Sequence, residues 1–136
     1  MSDVHRLALD FPSTMAETDG AAAAVQAFLD AHVPDEDFAF RVALVASEAV
    51  TNAIEHGNEL DANRRVWLVV EVEPHEITVS VQDEGTGFDP TYVPDPTREG
   101  ALMAEGGRGL FLMQQLADDV RFEEEGRRVV LTLRPR

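Results

Sequence analysis

The chain of 136 residues contains neither cysteine nor lysine. Without cysteine there is no disulfide framework and no thiolate zinc site, which agrees with a reducing cytoplasm. Because all 11 basic residues are arginine, a Walker-type P-loop and a catalytic Schiff base are both excluded. Any phosphate site in this chain must therefore use groups other than lysine.

Long apolar runs are also missing. No stretch approaches the ~20 apolar residues that a membrane-spanning helix needs, and the N-terminus, MSDVHRLALDFPS, lacks the basic and apolar regions of a signal peptide. We therefore expect a cytoplasmic protein with no membrane partner. The length and the hydrophobic content of 44% suit one domain, residues 1–136, with a core of its own.

Positive charge is scarce. The formal net charge is −15 and the pI is about 4.4, so the field of the protein repels phosphate backbones and we expect no direct nucleic-acid binding. A basic protein partner fits this charge better. The four histidines are too dispersed along the chain to predict a metal site.

The patterns along the chain predict the order β-α-α-β-β-loop-α-β-β. An alternating segment predicts the first strand, an alanine-rich segment capped by Thr18 or Asp19 predicts the first helix, and Gly57 is expected to cap the C-terminus of a longer second helix. The predicted segments are 5–11 (strand), 21–31 and 35–56 (helices), 66–72 and 76–82 (hairpin), 85–107 (loop), a helix from 107, and 120–123 with 128–133 (hairpin). This order favours an α+β two-layer sandwich with a mostly antiparallel mixed sheet and helices on one face.

The long helix carries an acid and an amide at the edge of its apolar face. Glu48 and Asn52 are four residues apart, so they stack on one side of the helix, beside Val45. This position suits groups that line a cleft, whereas groups meant only for solvent would sit opposite the core, near Ser47 or Thr51. The spacing alone is also that of an ordinary polar helix flank.

A second motif, DEGTG at residues 83–87, follows a predicted strand. Asp83 can accept a hydrogen bond from an exocyclic amine, while Gly85 and Gly87 allow the backbone to approach a ligand closely. The motif is not a dinucleotide-binding fingerprint, because the third glycine and the immediate helix are missing. By itself it could also be a plain Asp-Gly turn.

A third motif, GGRGL at residues 106–110, opens the third predicted helix. Backbone N–H groups and the helix dipole converge at such a start, which makes phosphate a natural ligand, and Arg108 adds a positive charge. The alternative is a flexible lid hinge, which is compatible with binding. The three motifs in this order point to one ligand site.

Three segments resemble the N, G1 and G2 boxes of the Bergerat-fold (GHKL) ATPases: SEAVTNAIEHGN at 47–58, DEGTGFDP at 83–90 and GGRGLFLM at 106–113. The resemblance covers nearly the whole chain. It implies a histidine-kinase-like ATPase domain with an ATP lid at about residues 88–106. The compact length and the segment EAVTNAIEHG look like those of the stand-alone anti-sigma-factor serine/threonine kinases.

The resemblance also implies roles for individual residues. Glu48 would be the catalytic base for a serine hydroxyl, and Asn52 would hold a Mg²⁺ ion that bridges the phosphate oxygens. Asp83 would bind the adenine amino group. The remaining implied contacts are Gly85 and Gly87 around the adenine, Gly107, Arg108, Gly109 and Leu110 at the phosphates, and Thr132 near the adenine, with an ordinary strand threonine as its alternative.

By the same resemblance, the protein would use ATP or ADP with Mg²⁺, phosphorylate a serine on an anti-anti-sigma (STAS) protein, and sequester a sigma factor. Dimers are common in this family, and the sequence leaves a homodimer open. Two other functions also stay open: a nucleotide-gated binding module without phosphotransfer, and a simple ATPase. In one departure, relatives often carry arginine in the first helix, whereas residues 21–32 contain none.

Overall fold

The computed structural model describes residues 4–85 and 105–136, with the main chain alone for 105–110. The described residues form a five-stranded sheet in the order β1-β2-β3-β5-β4, and each neighbouring pair is antiparallel, without the parallel pair that a mixed sheet would contain. The strands are β1 (His5–Pro12), β2 (Arg65–Val72), β3 (Ile77–Gln82), β4 (Asp119–Glu123) and β5 (Arg128–Leu133). Both predicted hairpins, β2–β3 and β4–β5, are therefore present.

Helices pack on one face of this sheet. They are α1 (Thr18–His32), α2 (Glu36–Asn52), which continues as a π-helical turn (Ala53–Gly57), and α3 (Glu105–Leu116); short 3₁₀ turns span Met15–Glu17 and Glu124–Gly126. α2 begins where Asp35 accepts a hydrogen bond from the backbone N–H of Phe38 at 3.1 Å. This cap and the two acids of the first turn complement the helix dipole. No helix among the described residues is long and apolar enough to cross a bilayer.

The core lies between the sheet and the helices. Strands β2 and β3 alternate, with fully buried Val66, Leu68 and Val70 on β2 matched by Val79 on β3. α2 lies in the middle of the helical layer, in contact with both α1 and α3. Since burying one such aliphatic side chain contributes about 1.5–3 kcal/mol, the position of α2 over β3 is strongly fixed.

Two helix-cap predictions are wrong. α1 is preceded by the 3₁₀ turn rather than capped by a side chain, and the hydroxyl of Thr18 donates to the carbonyl of Met15 at 2.7 Å. At the end of α2, Gly57 lies inside the π turn, and positive φ falls instead on Glu59 (54°) and Leu60 (61°). Gly57 is therefore required for a reason other than a left-handed cap.

Part of the predicted loop is not described. Gly87 and residues 88–104 of the predicted lid lie outside the described residues. Residues 105 and 106 belong to the first turn of α3, so this helix begins two residues before the predicted Gly107.

Candidate functional site

Asp83 directly follows β3 and lies against the C-terminal end of α2. Ile77, Val79 and Val81 alternate on the helix-facing side of β3, and Asp83 continues that alternation with 8% of its surface exposed. Its backbone N–H donates to the carbonyl of Arg127 at 2.9 Å, which extends the β3–β5 ladder by one residue. The sheet therefore delivers this carboxylate to the layer between strands and helices.

Two glycines enclose the Asp83 carboxylate. A Cβ atom on Gly57 would overlap the carboxylate, and a Cβ atom on Gly85 would overlap the carbonyl of Gly57. The backbone N–H of Gly85 donates to Asp83 Oδ1 at 2.8 Å. Because the space beside each glycine is occupied by the carboxylate or by main chain, the absence of a side chain at both positions is a packing requirement.

Asn58 joins the loop after α2 to the loop after β3. Its side chain is fully buried, its Oδ1 accepts from the backbone N–H of Glu84 at 2.8 Å, and its Nδ2 donates to the carbonyl of Arg65 at 2.9 Å. The Glu84 carboxylate accepts from the N–H of Arg65 at 2.6 Å. A buried amide with both ends satisfied fixes the geometry of the loops that it connects. The sequence analysis assigned no role to Asn58. The signal that could have identified it is an amide directly after the His-Gly end of a predicted helix.

Arg127 is a second residue that the sequence analysis missed. Its Nε donates to the carbonyl of Gly85 at 2.7 Å. Burial raises the pKa of Asp83, while the hydrogen bond from Gly85 and the charges of Arg127 and Arg64 act in the opposite direction. A carboxylate keeps acceptor capacity beyond one hydrogen bond, so Asp83 can still accept from a ligand amine.

Glu48 and Asn52 lie on the flank of α2 that faces α3. Both are half-buried, as predicted for the rim of an apolar face. At about 100° per residue, they share one stripe of the helix with Arg41. Arg41 Nη1 donates to the carbonyl of Leu116, the last residue of α3, at 3.1 Å. This stripe of α2 therefore faces α3.

The first turn of α3 is directed toward Asn52. α3 packs on α2 and its last residue lies at Arg41, so the two helices run antiparallel. Asn52 lies eleven residues after Arg41 in α2, and Glu105 lies eleven residues before Leu116 in α3. The two helices therefore rise by the same distance over these spans. The first two turns of α3 contain the main chain of four predicted site residues: Gly107, Arg108, Gly109 and Leu110.

Asp83 reaches the same end of α2. Five residues separate Asn52 from Gly57, a rise of about 7 Å along a helix, and Gly57 lies against the Asp83 carboxylate. The predicted residues on α2, after β3 and at the start of α3 therefore converge on the C-terminal end of one helix.

Thr132 is not part of this convergence. It pairs with Thr78, and the alternation along β3 places both on the sheet face opposite Asp83. Thr78 also lies five residues before Asp83, about 16 Å along a strand. The β3–β5 register brings Arg127, and not Thr132, beside Asp83.

Comparisons with known proteins find relatives of this chain. A family model described as a histidine kinase-like ATPase domain matches residues 11–134. The chain is 29% identical over 123 residues to the anti-sigma F factor of Bacillus velezensis, covering 85% of this chain and 81% of that protein. It is 32% identical over 107 residues to the anti-sigma F factor of Bacillus licheniformis, covering 74% and 70%. It is 36% identical over 88 residues to the serine-protein kinase RsbW of Bacillus subtilis, covering 59% and 54%.

A solved structure shares the fold. The crystal structure of the RsbU and RsbW domains of Rv1364c from Mycobacterium tuberculosis matches with a TM-score of 0.62 at 19% identity. The match covers 97% of this chain and 32% of that chain. The predicted α+β architecture with helices on one face of a sheet is confirmed.

Proposed function

The chain belongs to the histidine kinase-like ATPase domain family, and from this membership we propose that it is an ATP-dependent serine/threonine kinase that acts as an anti-sigma factor. It phosphorylates a serine on an anti-anti-sigma (STAS) protein and sequesters a sigma factor in the cytoplasm. The observation that carries the proposal is the enclosed Asp83 carboxylate, which lies at the end of the helix that also carries Glu48 and Asn52.

Asp83 is the proposed contact of the adenine amino group. The carboxylate is 8% exposed, and a hydrogen bond to a charged acceptor is stronger where water is excluded. Guanine carries a carbonyl oxygen at the corresponding ring position, which a carboxylate repels. The site therefore favours ATP and ADP over GTP.

The other end of the site fits phosphates and Mg²⁺. Asn52 offers a half-buried amide oxygen, a ligand type that Mg²⁺ accepts, and the first N–H groups of α3 lack intrahelical partners, as at any helix start. The chain has no lysine for this task. A Mg²⁺ ion held at Asn52 would offset the charge that develops on the phosphates.

Glu48 is the proposed catalytic base. It lies one helical turn before Asn52 on the same flank of α2, beside the position assigned to the phosphates. The serine oxygen attacks the γ-phosphorus, the bond from that phosphorus to the bridging oxygen breaks, and the serine proton passes to the Glu48 carboxylate. Orientation of the hydroxyl by this carboxylate then adds to the positioning of the phosphates.

The partners are proposed from the relatives and from charge. The relatives named above carry the names anti-sigma F factor and serine-protein kinase. A net charge of −15 favours protein partners with basic surfaces. Competition between the sigma factor and the STAS protein would then depend on which nucleotide is bound.

Transfer of label from γ-labelled ATP to a candidate STAS protein, with Mg²⁺, tests this function. We expect label on a serine of the STAS protein, and we expect Glu48→Gln to slow transfer about 100-fold or more with a calorimetric ATP affinity within about twofold of wild type. The control variant Ser47→Ala changes an exposed neighbour and should transfer label normally.

The other outcomes separate the alternatives. Free phosphate without labelled protein would identify a simple ATPase. ATP binding with neither product would identify a nucleotide-gated binding module. Absence of ATP binding by the wild-type chain would refute the nucleotide site itself.

A further inference from the structure

We propose that Arg41 is a positioning residue for the phosphates of the nucleotide: it fixes the C-terminal end of α3 and thereby sets where the first turn of α3 lies relative to Asn52. This inference rests on the proposed function, because it concerns the phosphate end of that site. Arg41 lies eleven residues from Asn52, about 16 Å along α2. It therefore acts through α3 and not by touching the nucleotide.

The side chain of Arg41 contacts several elements of the fold. It is 11% exposed. Its Nη1 donates to the carbonyl of Leu116 at 3.1 Å, and its Nη2 donates to the carbonyl of Arg134. The guanidinium also lies 3.7 Å from the Asp118 carboxylate and over the ring of Phe38, 5.1 Å from the ring centroid. These contacts connect α2 with the end of α3 and with the segment after β5.

Asp118 completes this junction from the other side. Its Oδ2 accepts from the backbone N–H of Arg134 at 2.6 Å, and its own N–H donates to the carbonyl of Thr132 at 2.8 Å. Burial lowers the pKa of Arg41, Arg136 acts in the same direction, and Asp118 and Asp35 oppose it. An arginine remains charged in such a setting, so the junction keeps its ion pair.

α3 packs along α2, but few of its described side chains are fully buried. Among the described side chains of α3, residues 111–116, Met113 alone is fully buried, whereas Phe111 and Leu112 are 39% and 37% exposed. α2, by contrast, buries seven residues. Of the described side chains, Met113 and Leu116 pack on the core from the C-terminal half of α3, so the hydrogen bond from Arg41 to the carbonyl of Leu116 acts at the part of the helix where its direction is set.

The length of α3 amplifies small changes at the junction. Its 12 residues span about 18 Å, so a rotation of about 10° around the Leu116 end moves the first turn by about 3 Å. A misplacement of about 1 Å at a reacting group can cost about 100-fold in rate. Alignment of α3 at its far end therefore bears directly on phosphate binding and transfer.

Arginine suits this junction because its planar fork donates to two carbonyls at once, whereas lysine is a compact point charge. Arg41→Lys keeps the charge and loses the fork. Arg41→Met keeps most of the apolar stem over Phe38 and loses both carbonyl contacts. The two variants therefore remove the carbonyl contacts of Arg41 in part and in full, and both keep a long side chain at this position.

Comparison of Mg-ATP with adenosine separates positioning from general support of the fold. For Arg41→Met we expect the calorimetric affinity for Mg-ATP to fall about tenfold, and Arg41→Lys should fall between this variant and wild type. Adenosine affinity, measured by NMR titration, should stay within about twofold of wild type. Adenosine has no phosphates, and Asp83, Gly57 and Gly85 lie at the other end of α2.

Arg121→Met is the matched control, since Arg121 pairs with Glu123 and is 61% exposed, and it should change neither affinity. Equal weakening of Mg-ATP and adenosine by the Arg41 variants would show general loss of structure and overturn the inference, as would unchanged Mg-ATP affinity. If Arg41→Met does not fold, the same criteria apply to Arg41→Lys. Failure of the wild-type chain to bind Mg-ATP would instead refute the proposed function, and the inference with it.

Discussion

The two ends of α2 are joined to the rest of the protein by different kinds of contact. At the C-terminal end, Gly57 lies against Asp83 and Gly85 so closely that a Cβ atom fits on neither glycine. At the N-terminal end, Arg41 reaches two distant carbonyls through a long side chain. Main-chain contact leaves little freedom, whereas a side chain with several rotatable bonds can adjust.

This difference suits the two parts of the proposed ligand. The adenine is the same in ATP and in ADP, so a pocket fixed by main chain can bind both. The proposed phosphate end has to accept three or two phosphates and the serine of a partner, and it is bordered by the start of α3, whose last residue accepts a hydrogen bond from Arg41. We infer that nucleotide-dependent change is concentrated at α3, while the surroundings of Asp83 stay constant.

Gly57→Ala should disrupt the contact between Gly57 and Asp83 at the C-terminal end of α2, and it should have the largest effect. The new Cβ overlaps the Asp83 carboxylate, and overpacking of this kind costs about 1–3 kcal/mol. Displacement of the carboxylate should also reduce ATP affinity by more than about tenfold. Urea unfolding and calorimetry measure the two effects.

Gly20→Ala is the matched control for that substitution. Gly20 lies within α1, and among the described residues no heavy atom other than those of its chain neighbours and its own helix backbone lies within 4 Å of the position of its Cβ. Alanine there should raise the free energy of unfolding by up to about 1 kcal/mol and leave ATP affinity unchanged. Similar behaviour of the two variants would mean that the contact of Gly57 with Asp83 is not restrictive.

Asp83→Asn should separate binding from stability, with an intermediate effect. Loss of the charge should weaken ATP binding by about 1–3 kcal/mol. Burial raises the pKa of Asp83 in the folded protein above its usual value of 3.8. Between the unfolded-state pKa and this higher folded-state pKa, the folded protein therefore binds more protons than the unfolded protein. The contribution of this carboxylate therefore falls as the pH rises through that window and stays unfavourable above it.

Urea unfolding of both proteins between pH 3 and pH 7 measures this contribution, because the other acids largely cancel in the difference. At neutral pH, Asp83→Asn should be at least as stable as wild type, since its amide oxygen can still accept from the N–H of Gly85. Wild type should lose stability relative to the variant as the pH rises. A relative gain would mean that the folded-state pKa is depressed and that the site is built to hold the charge.

The fold could be predicted closely because its patterns are local. Alternation of buried and exposed residues marks β2 and β3 to within one residue of their ends, and the flank of α2 that carries Glu48 and Asn52 follows from helical periodicity. The hairpins follow from short turns between alternating segments. Each of these features depends on residues only a few positions apart.

The missed features depend on contacts between distant segments. Arg41 meets carbonyls that are 75 and 93 residues away, and the contact of Arg127 with Gly85 spans 42 residues. Gly57 resembles an ordinary C-cap until β3 brings Asp83 against it. No local pattern specifies which carbonyl an arginine will meet, or which strand residue will lie beside a helix end.

Thr132→Val should have the smallest effect, because strand register decides which residue of β5 lies beside Asp83. Thr132 lies opposite Thr78 on the face away from Asp83, and valine has a similar shape and suits a strand. ATP affinity should therefore stay within about twofold, and stability within about 0.5 kcal/mol.

Arg127→Met, on the residue just before the same strand, should weaken ATP binding severalfold through loss of its hydrogen bond to Gly85. If calorimetry gave the reverse order, β5 would be shifted relative to β3, and the nucleotide would contact the sheet face that the helices leave open.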